Sequence, residues 1–342
     1  MSTTIHLTDQ SSSYKALFAL DTIHATLSLS LLVLALKPTL THLRNRRFTT
    51  TPANHNYTRA NSYSHDGPLK TPLGTYLFLT SALLFLFLAS LTRLITDILQ
   101  TSSGISYTND LSWHGRPSWN AAGNGYAKDI ARLSFTTALT TIFFTVLLNG
   151  GVWIHSAHVR ENGTGISTPG TKSRIWNTFI MAVMLGTGVA AWGLGIEAKR
   201  NGGTAWSDVL TGDKATRIVW IVHEAIVVAA SLSVSAEVIW EFLSMNRGGR
   251  DSTERNDLLR FTFFVVPLIW IRDAFIIYDI VLLHVNTAAW SRTAMEATNF
   301  LLLLGRQYAN LGILSMVLWG AWRMGRSVGY DGGRGKGGGS YA

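Results

Sequence analysis

The sequence predicts an all-α, polytopic membrane protein with seven transmembrane helices, and three observations carry that reading. Only 14% of the 342 residues are charged, against 47% apolar, where a globular chain carries about 25% charged residues. The mean hydropathy is positive, +0.20. The charge is missing from seven separate stretches of about 20 residues each, the length that crosses a hydrocarbon core ~30 Å thick.

The spans are Tyr14–Leu36, Leu73–Ile95, Ala131–Ile154, Ile175–Ile196, Thr216–Trp240, Arg260–His284 and Ala297–Gly320. Runs this apolar and this long read as helices, because a helix satisfies its own backbone within lipid. The first comes after a polar Ser/Thr-rich leader, residues 1–13, with no cleavage pattern behind it, and reads as a signal anchor. The seven-helix domain is expected over 14–320. The remainder, 321–342, contains GGRGKGGGS and reads as a disordered tail. The first connection, Lys37–Pro72, reads as a flexible connector. There is no internal repeat and no inverted symmetry of the transporter kind.

Lys and Arg set the orientation. The loops after spans one, three and five, with the tail, carry 17 of them, against 7 for the N-terminus and the other loops. The N-terminus is therefore expected outside or in a lumen, and the C-terminus in the cytosol. The sequons at Asn56 and Asn162 then face the cytosol and should be unglycosylated. The net charge of +9 is juxtamembrane, beside anionic lipid heads, so the expected partners are a bilayer and a lipophilic small molecule rather than nucleic acid. Oligomeric state is not legible.

In this topology the ionisable residues within spans fall between midplane and outer surface. They include Asp21, His24, Arg93, Asp97, His223, Glu224, Arg272, Asp273, Asp279 and Arg306, with Gln307 and Asn310 beside the last; Glu237 is the exception. An ionisable group in a span is costly and is by default a functional-site hypothesis, so the one-sided distribution points to a single polar pocket. Arg272 and Asp279 are seven apart and share a face, and Asn299, Arg306 and Asn310 form a stripe down span seven. Asp279 or Asp273 is placed to pair with Arg306, which fits an ion-pair lock between spans six and seven equally well. His223 and Glu224 point about 100° apart, and Glu224 is the one favoured to face the pocket. Glu224 and Asp279 lie among Ile, Val and Ala with no cation one turn away on their own helices. Arg93 and Asp97 read as a structural i,i+4 pair.

Aromatic residues crowd the same side. The loop ISYTNDLSWHGRPSWNAAGNGYAKD carries Trp113, His114, Trp119 and Tyr126, while Trp206, Trp220, Trp270, Tyr278, Trp290 and Tyr308 flank or enter the spans. They fit an interfacial aromatic belt or the walls and lid of a cavity that shields a cation.

The chain has no cysteine, which excludes disulfide scaffolds, thiol catalysis and Cys-ligated metal. No Walker loop or Asp-rich diphosphate motif is present. His155 and His158 lack a third ligand nearby, and no metal or cofactor is expected. Three classes remain: an intramembrane acid–base enzyme, a seven-span receptor, and a lipid transporter or exporter. The receptor signatures Asp-Arg-Tyr and Asn-Pro-x-x-Tyr are absent.

The span plan, the intramembrane acids and above all the segment FVVPLIWIRDAFIIYDIVLLH, which holds Arg272, Asp273 and Asp279, resemble the small fungal seven-span integral membrane proteins. Among these are the membrane-bound terpene cyclases of meroterpenoid and ascofuranone/ascochlorin-type pathways. The resemblance implies a metal-independent cyclase of an endomembrane such as the endoplasmic reticulum. It would protonate an epoxide or alkene on a prenylated aromatic substrate in secondary metabolism. By position, the two proton-handling acids become Glu224 and Asp279, with Asp273 in reserve. Arg306, Arg272, Asn310, Gln307, His223, Trp113 and Tyr278 would bind substrate or tune the acids. The receptor-like and exporter-like families share the same outline.

Overall fold

The computed structural model describes residues 12–48, 72–102, 126–164, 171–199, 206–245, 252–284 and 291–334. The start of the polar leader, most of the Trp113 loop, Trp290 and the last eight residues lie outside them. All described elements are helical: α1 Ser12–Phe48, α2 Pro72–Ser102, α3 Tyr126–Thr164, α4 Thr171–Lys199, α5 Trp206–Gly212, α6 Lys214–Met245, α7 Ser252–Arg260, α8 Val266–Leu282, α9 Arg292–Leu302 and α10 Ala309–Arg334. Two π-helical segments, Phe261–Val265 and Leu303–Tyr308, join α7 to α8 and α9 to α10.

Among the described residues six helical stretches are long and apolar enough to cross a membrane: α1 to α4, α6, and Ala297–Arg323, which runs through α9, the second π segment and α10. The seventh predicted span, Arg260–His284, is helical as far as Leu282 but is divided by its π segment, leaving α8 at 17 residues. Pro267 explains the division. Its ring removes one N–H and clashes with the carbonyl four residues back, and Val266 N–H instead reaches five residues back, to Phe261 O. Helix α1 runs through Pro38 and the basic HLRNRR to Phe48, and α10 continues into the Gly-rich tail as far as Arg334.

The main apolar core joins α1, α2, α3, α6, α8 and α10 around Leu32, Leu79, Leu83, Leu148, Ile269 and Ile313. Lipid-type surface lies opposite: Leu34, Ile175, Trp176, Phe263 and Trp240 are all more than half exposed, as expected where acyl chains rather than water cover the helices. Gly150 of α3 lets α2 approach, since a Cβ there would lie 2.8 Å from the Phe78 ring. Hydroxyl pairs tie the first three helices, Thr39 to Thr80 at 2.8 Å and Thr92 to Thr137 at 2.7 Å, the interhelical polar contacts that membrane bundles favour. Most other Ser and Thr hydroxyls bond to the carbonyl one turn back on their own helix, as Thr26 does to Thr22.

Asp213 starts α6. Its carboxylate accepts the Thr216 backbone N–H at 2.7 Å and the Thr216 hydroxyl, which satisfies donors that the first turn leaves free. Those bonds hold the Asp213 carboxyl below its ordinary value of 3.8. The capping contribution is therefore fully present at neutral pH and is lost only as pH falls through that lowered value. D213A should cost about 1 kcal/mol, read as a lower unfolding temperature in detergent at pH 7. The difference from the unmodified protein should disappear in strong acid, and a constant difference at every pH would refute the cap.

Candidate functional site

Three helices converge on one guanidinium. Arg306, in the π segment before α10, donates from Nη1 to Asp279 Oδ2 of α8 at 2.8 Å and from Nη2 to Glu224 Oε1 of α6 at 2.5 Å. Along their own helices Glu224 and Asp279 have no cation one turn away, as the sequence implies. The cation comes from a third. Of the two expected partners for Arg306, Asp279 takes the place and Asp273 does not.

Gly305 makes this approach possible. A Cβ built on it would lie 2.0 Å from the Phe275 ring of α8, so only glycine lets the π segment close on α8 where Arg306 must reach Asp279. The triad is graded in access. The Glu224 side chain is 3% exposed, Arg306 18% and Asp279 22%. Glu224 Oε2 is buried with no hydrogen-bond partner, an open acceptor position in a region where unpaired polar atoms are costly.

Two carboxylates facing one guanidinium leave a formal charge of −1. By charge count, one proton shared between the two acids would balance the group.

Asp273 belongs to a second cluster. It accepts from Arg272 Nε at 3.0 Å and Nη2 at 2.8 Å, and from the Ser231 hydroxyl of α6, while Arg272 Nη2 also lies 3.5 Å from Asn149 Oδ1 of α3. With Arg272 and Asp273 both at 3% exposure or less, this pair is charge-balanced and closed. It acts as an internal brace, and its neighbours Ser231 and Asn149 escaped sequence reasoning. Ser231 had a signal: it stands seven residues after Glu224, on the same face of α6.

The remaining predicted residues fall into different places. His223 turns away from the triad, its Nδ1 bonding Met184 O at 3.0 Å with the Thr187 hydroxyl 3.3 Å away. It ends a column of rings, Phe135, Trp206, Trp220 and His223, with successive centroids 5.4–5.5 Å apart. Gln307 contributes its backbone carbonyl to His24 Nε2 at 3.3 Å. Asn310 is buried with Oδ1 unpartnered. Tyr278 faces Thr298, with the two hydroxyls 3.4 Å apart, and does not join the triad. Trp113 lies outside the described residues. Arg93 pairs with Asp21 of α1 at 3.5 Å, so the cation read as an i,i+4 partner also ties α1 to α2.

Among the described residues no group of three His, Asp or Glu side chains is arranged to hold a metal ion. No family model matches the chain, and no curated protein or solved structure matches it either.

Proposed function

We propose that this protein is an intramembrane enzyme that moves a proton on a lipophilic substrate through Asp279 and Glu224, in the manner of a membrane-bound terpene cyclase. The observation that carries the reading is two carboxylates from different helices sharing one guanidinium, with Glu224 Oε2 buried and unpartnered. Cyclisation of a prenyl epoxide is an isomerisation. One proton goes to the epoxide oxygen, the carbon–oxygen bond opens, an alkene carbon attacks, and one proton leaves the final cation. An acid pair holding one proton supplies this cycle without net consumption.

In this reading Asp279, the more accessible carboxyl, meets the substrate, and Glu224 takes or returns the proton. Arg306 fixes both carboxyls. Seven spans, with the N-terminus outside or lumenal and the C-terminus cytosolic in an endomembrane, complete the proposal. The Lys and Arg bias supports that orientation.

The test is product analysis by mass spectrometry of membranes carrying the protein, supplied with an epoxidised farnesyl-phenol. The expected product is an isomer of unchanged mass, lost in D279N and in E224Q while both variants still insert. A product heavier by one water would make the protein an epoxide hydrolase. Full turnover in both variants would end the acid–base reading. A substrate gradient without chemical change would replace it with a lipid transporter, and a ligand-dependent response at the cytosolic Arg247–Arg260 loop with a receptor.

A further inference from the structure

Away from the triad, α3, α7, the first π segment and α10 line a partly open surface groove that the acid–base reading does not use. Two guanidiniums line it, Arg260 at the end of α7 and Arg323 of α10. Each has an Nη1 near the same oxygen, Asp257 Oδ1, at 3.6 Å and 3.8 Å. Both separations are ion-pair distances too long for a hydrogen bond, and Arg260 Nη1 is buried without any hydrogen-bond partner. Two cations thus share one loosely held anion, and the groove keeps a formal charge of +1. Burial also pushes the Asp257 carboxyl above its ordinary value, against the pull of Arg323.

A second, independent feature lies in the same lining. His155 of α3 is 3% exposed, and its Nδ1 has no hydrogen-bond partner. Gly320 of α10 permits this placement, since a Cβ there would lie 2.7 Å from His155 Nε2. His155 and Arg260, both of the groove lining, each keep a buried nitrogen without a partner, and the guanidinium N–H is a donor that a ligand oxygen would satisfy.

The surroundings specify what carries the oxygens. Trp319 lies under Arg260, the guanidinium carbon 5.0 Å from the ring centroid. Trp319 is 46% exposed and Phe264 is 55% exposed, and both belong to the groove lining. The cations therefore sit beside open apolar surface, at the ends of membrane-crossing helices. A free anion in water has no use for that surface, whereas a phospholipid needs both parts. Basic pockets between transmembrane helices hold anionic head groups in this way.

We propose that this groove binds one anionic phospholipid, its phosphate between Arg260, Arg323 and His155 and its acyl chains along Phe264 and Trp319. The site is separate from the chemistry of Glu224 and Asp279 and stands or falls independently of it.

The test is native mass spectrometry of the full chain, released from nanodiscs containing equal amounts of phosphatidylserine and phosphatidylcholine. The unmodified protein should retain one phosphatidylserine in preference. R260Q/R323Q should lower that preference about tenfold or more, while R132Q, which removes an exposed cation at the opposite end of α3, should leave it unchanged. Equal retention of both lipids, or an unaltered preference in R260Q/R323Q, would overturn the assignment. If inorganic phosphate displaces the lipid, the groove is a free-anion site and the lipid reading falls. A photoreactive phosphatidylserine keeps the test independent of variant folding. In the unmodified protein its adducts should map to Phe264 or Trp319, and adducts confined elsewhere would refute the site.

Discussion

R306Q should destabilise the protein by about 3 kcal/mol, the lower end of what removing one partner of a buried ion pair costs. The substitution strands two carboxylates at once. Glu224 is 3% exposed and Asp279 22%, so one of the two stranded carboxylates is less enclosed, which is why the lower end applies. R306K keeps the charge but gives up the planar fork that serves two acids, and its loss should be intermediate. E224Q/R306Q removes the stranded charge together with the cation and should recover part of the stability, giving a large coupling in a double-mutant cycle. The measurement is the apparent unfolding temperature of purified protein in detergent. Equal stability of R306Q and the unmodified protein would mean that the triad does not form.

G305A is the second large effect. A methyl group placed 2.0 Å from the Phe275 ring cannot be absorbed by small adjustments, so either the ring rotates away or the π segment withdraws from α8. Overpacking of this kind costs about 1–3 kcal/mol. The loss should be larger in G305V and partly reversed in G305A/F275A, where the ring is gone. If the π segment withdraws, Arg306 loses reach to Asp279, so G305A should also lose product in the cyclisation assay. G305A with unaltered stability and turnover would show that the close approach is not needed.

The sequence exposes the elements better than their contacts. Apolar runs of span length mark six of the helices directly, because lipid demands them. The faces are legible wherever a helix is regular. Arg272 and Asp279 both lie within α8, and each joins a network that includes α6, as their spacing of seven implies. The stripe Asn299–Arg306–Asn310 assumes α-helical periodicity across Leu303–Tyr308, whereas a π segment adds residues to the turn and rotates the helix beyond it. That is why Arg306 leads to Glu224 and Asp279 while Asn310 keeps an unpartnered oxygen. Pro267 is a warning of the first π segment, since its missing N–H must be accommodated nearby. No comparable residue announces the second. Pairing between helices is the least legible: nothing in one span tells Asp273 that Arg272 beside it, rather than Arg306, will be its partner.

The three members of the triad are far apart in the order of synthesis. Glu224 leaves the ribosome first, Asp279 fifty-five residues later, and Arg306 last. Arg272 and Asp273, being adjacent, enter the membrane already matched. Glu224 and Asp279 must wait, each carrying a charge or a proton with no cation in reach, until the final helix arrives. A chain stopped between residues 279 and 306 therefore retains two unmatched acids among apolar helices, the feature that makes an intramembrane segment costly. The segment that carries Arg306 works as a clasp, closing on two acids that precede it in the chain.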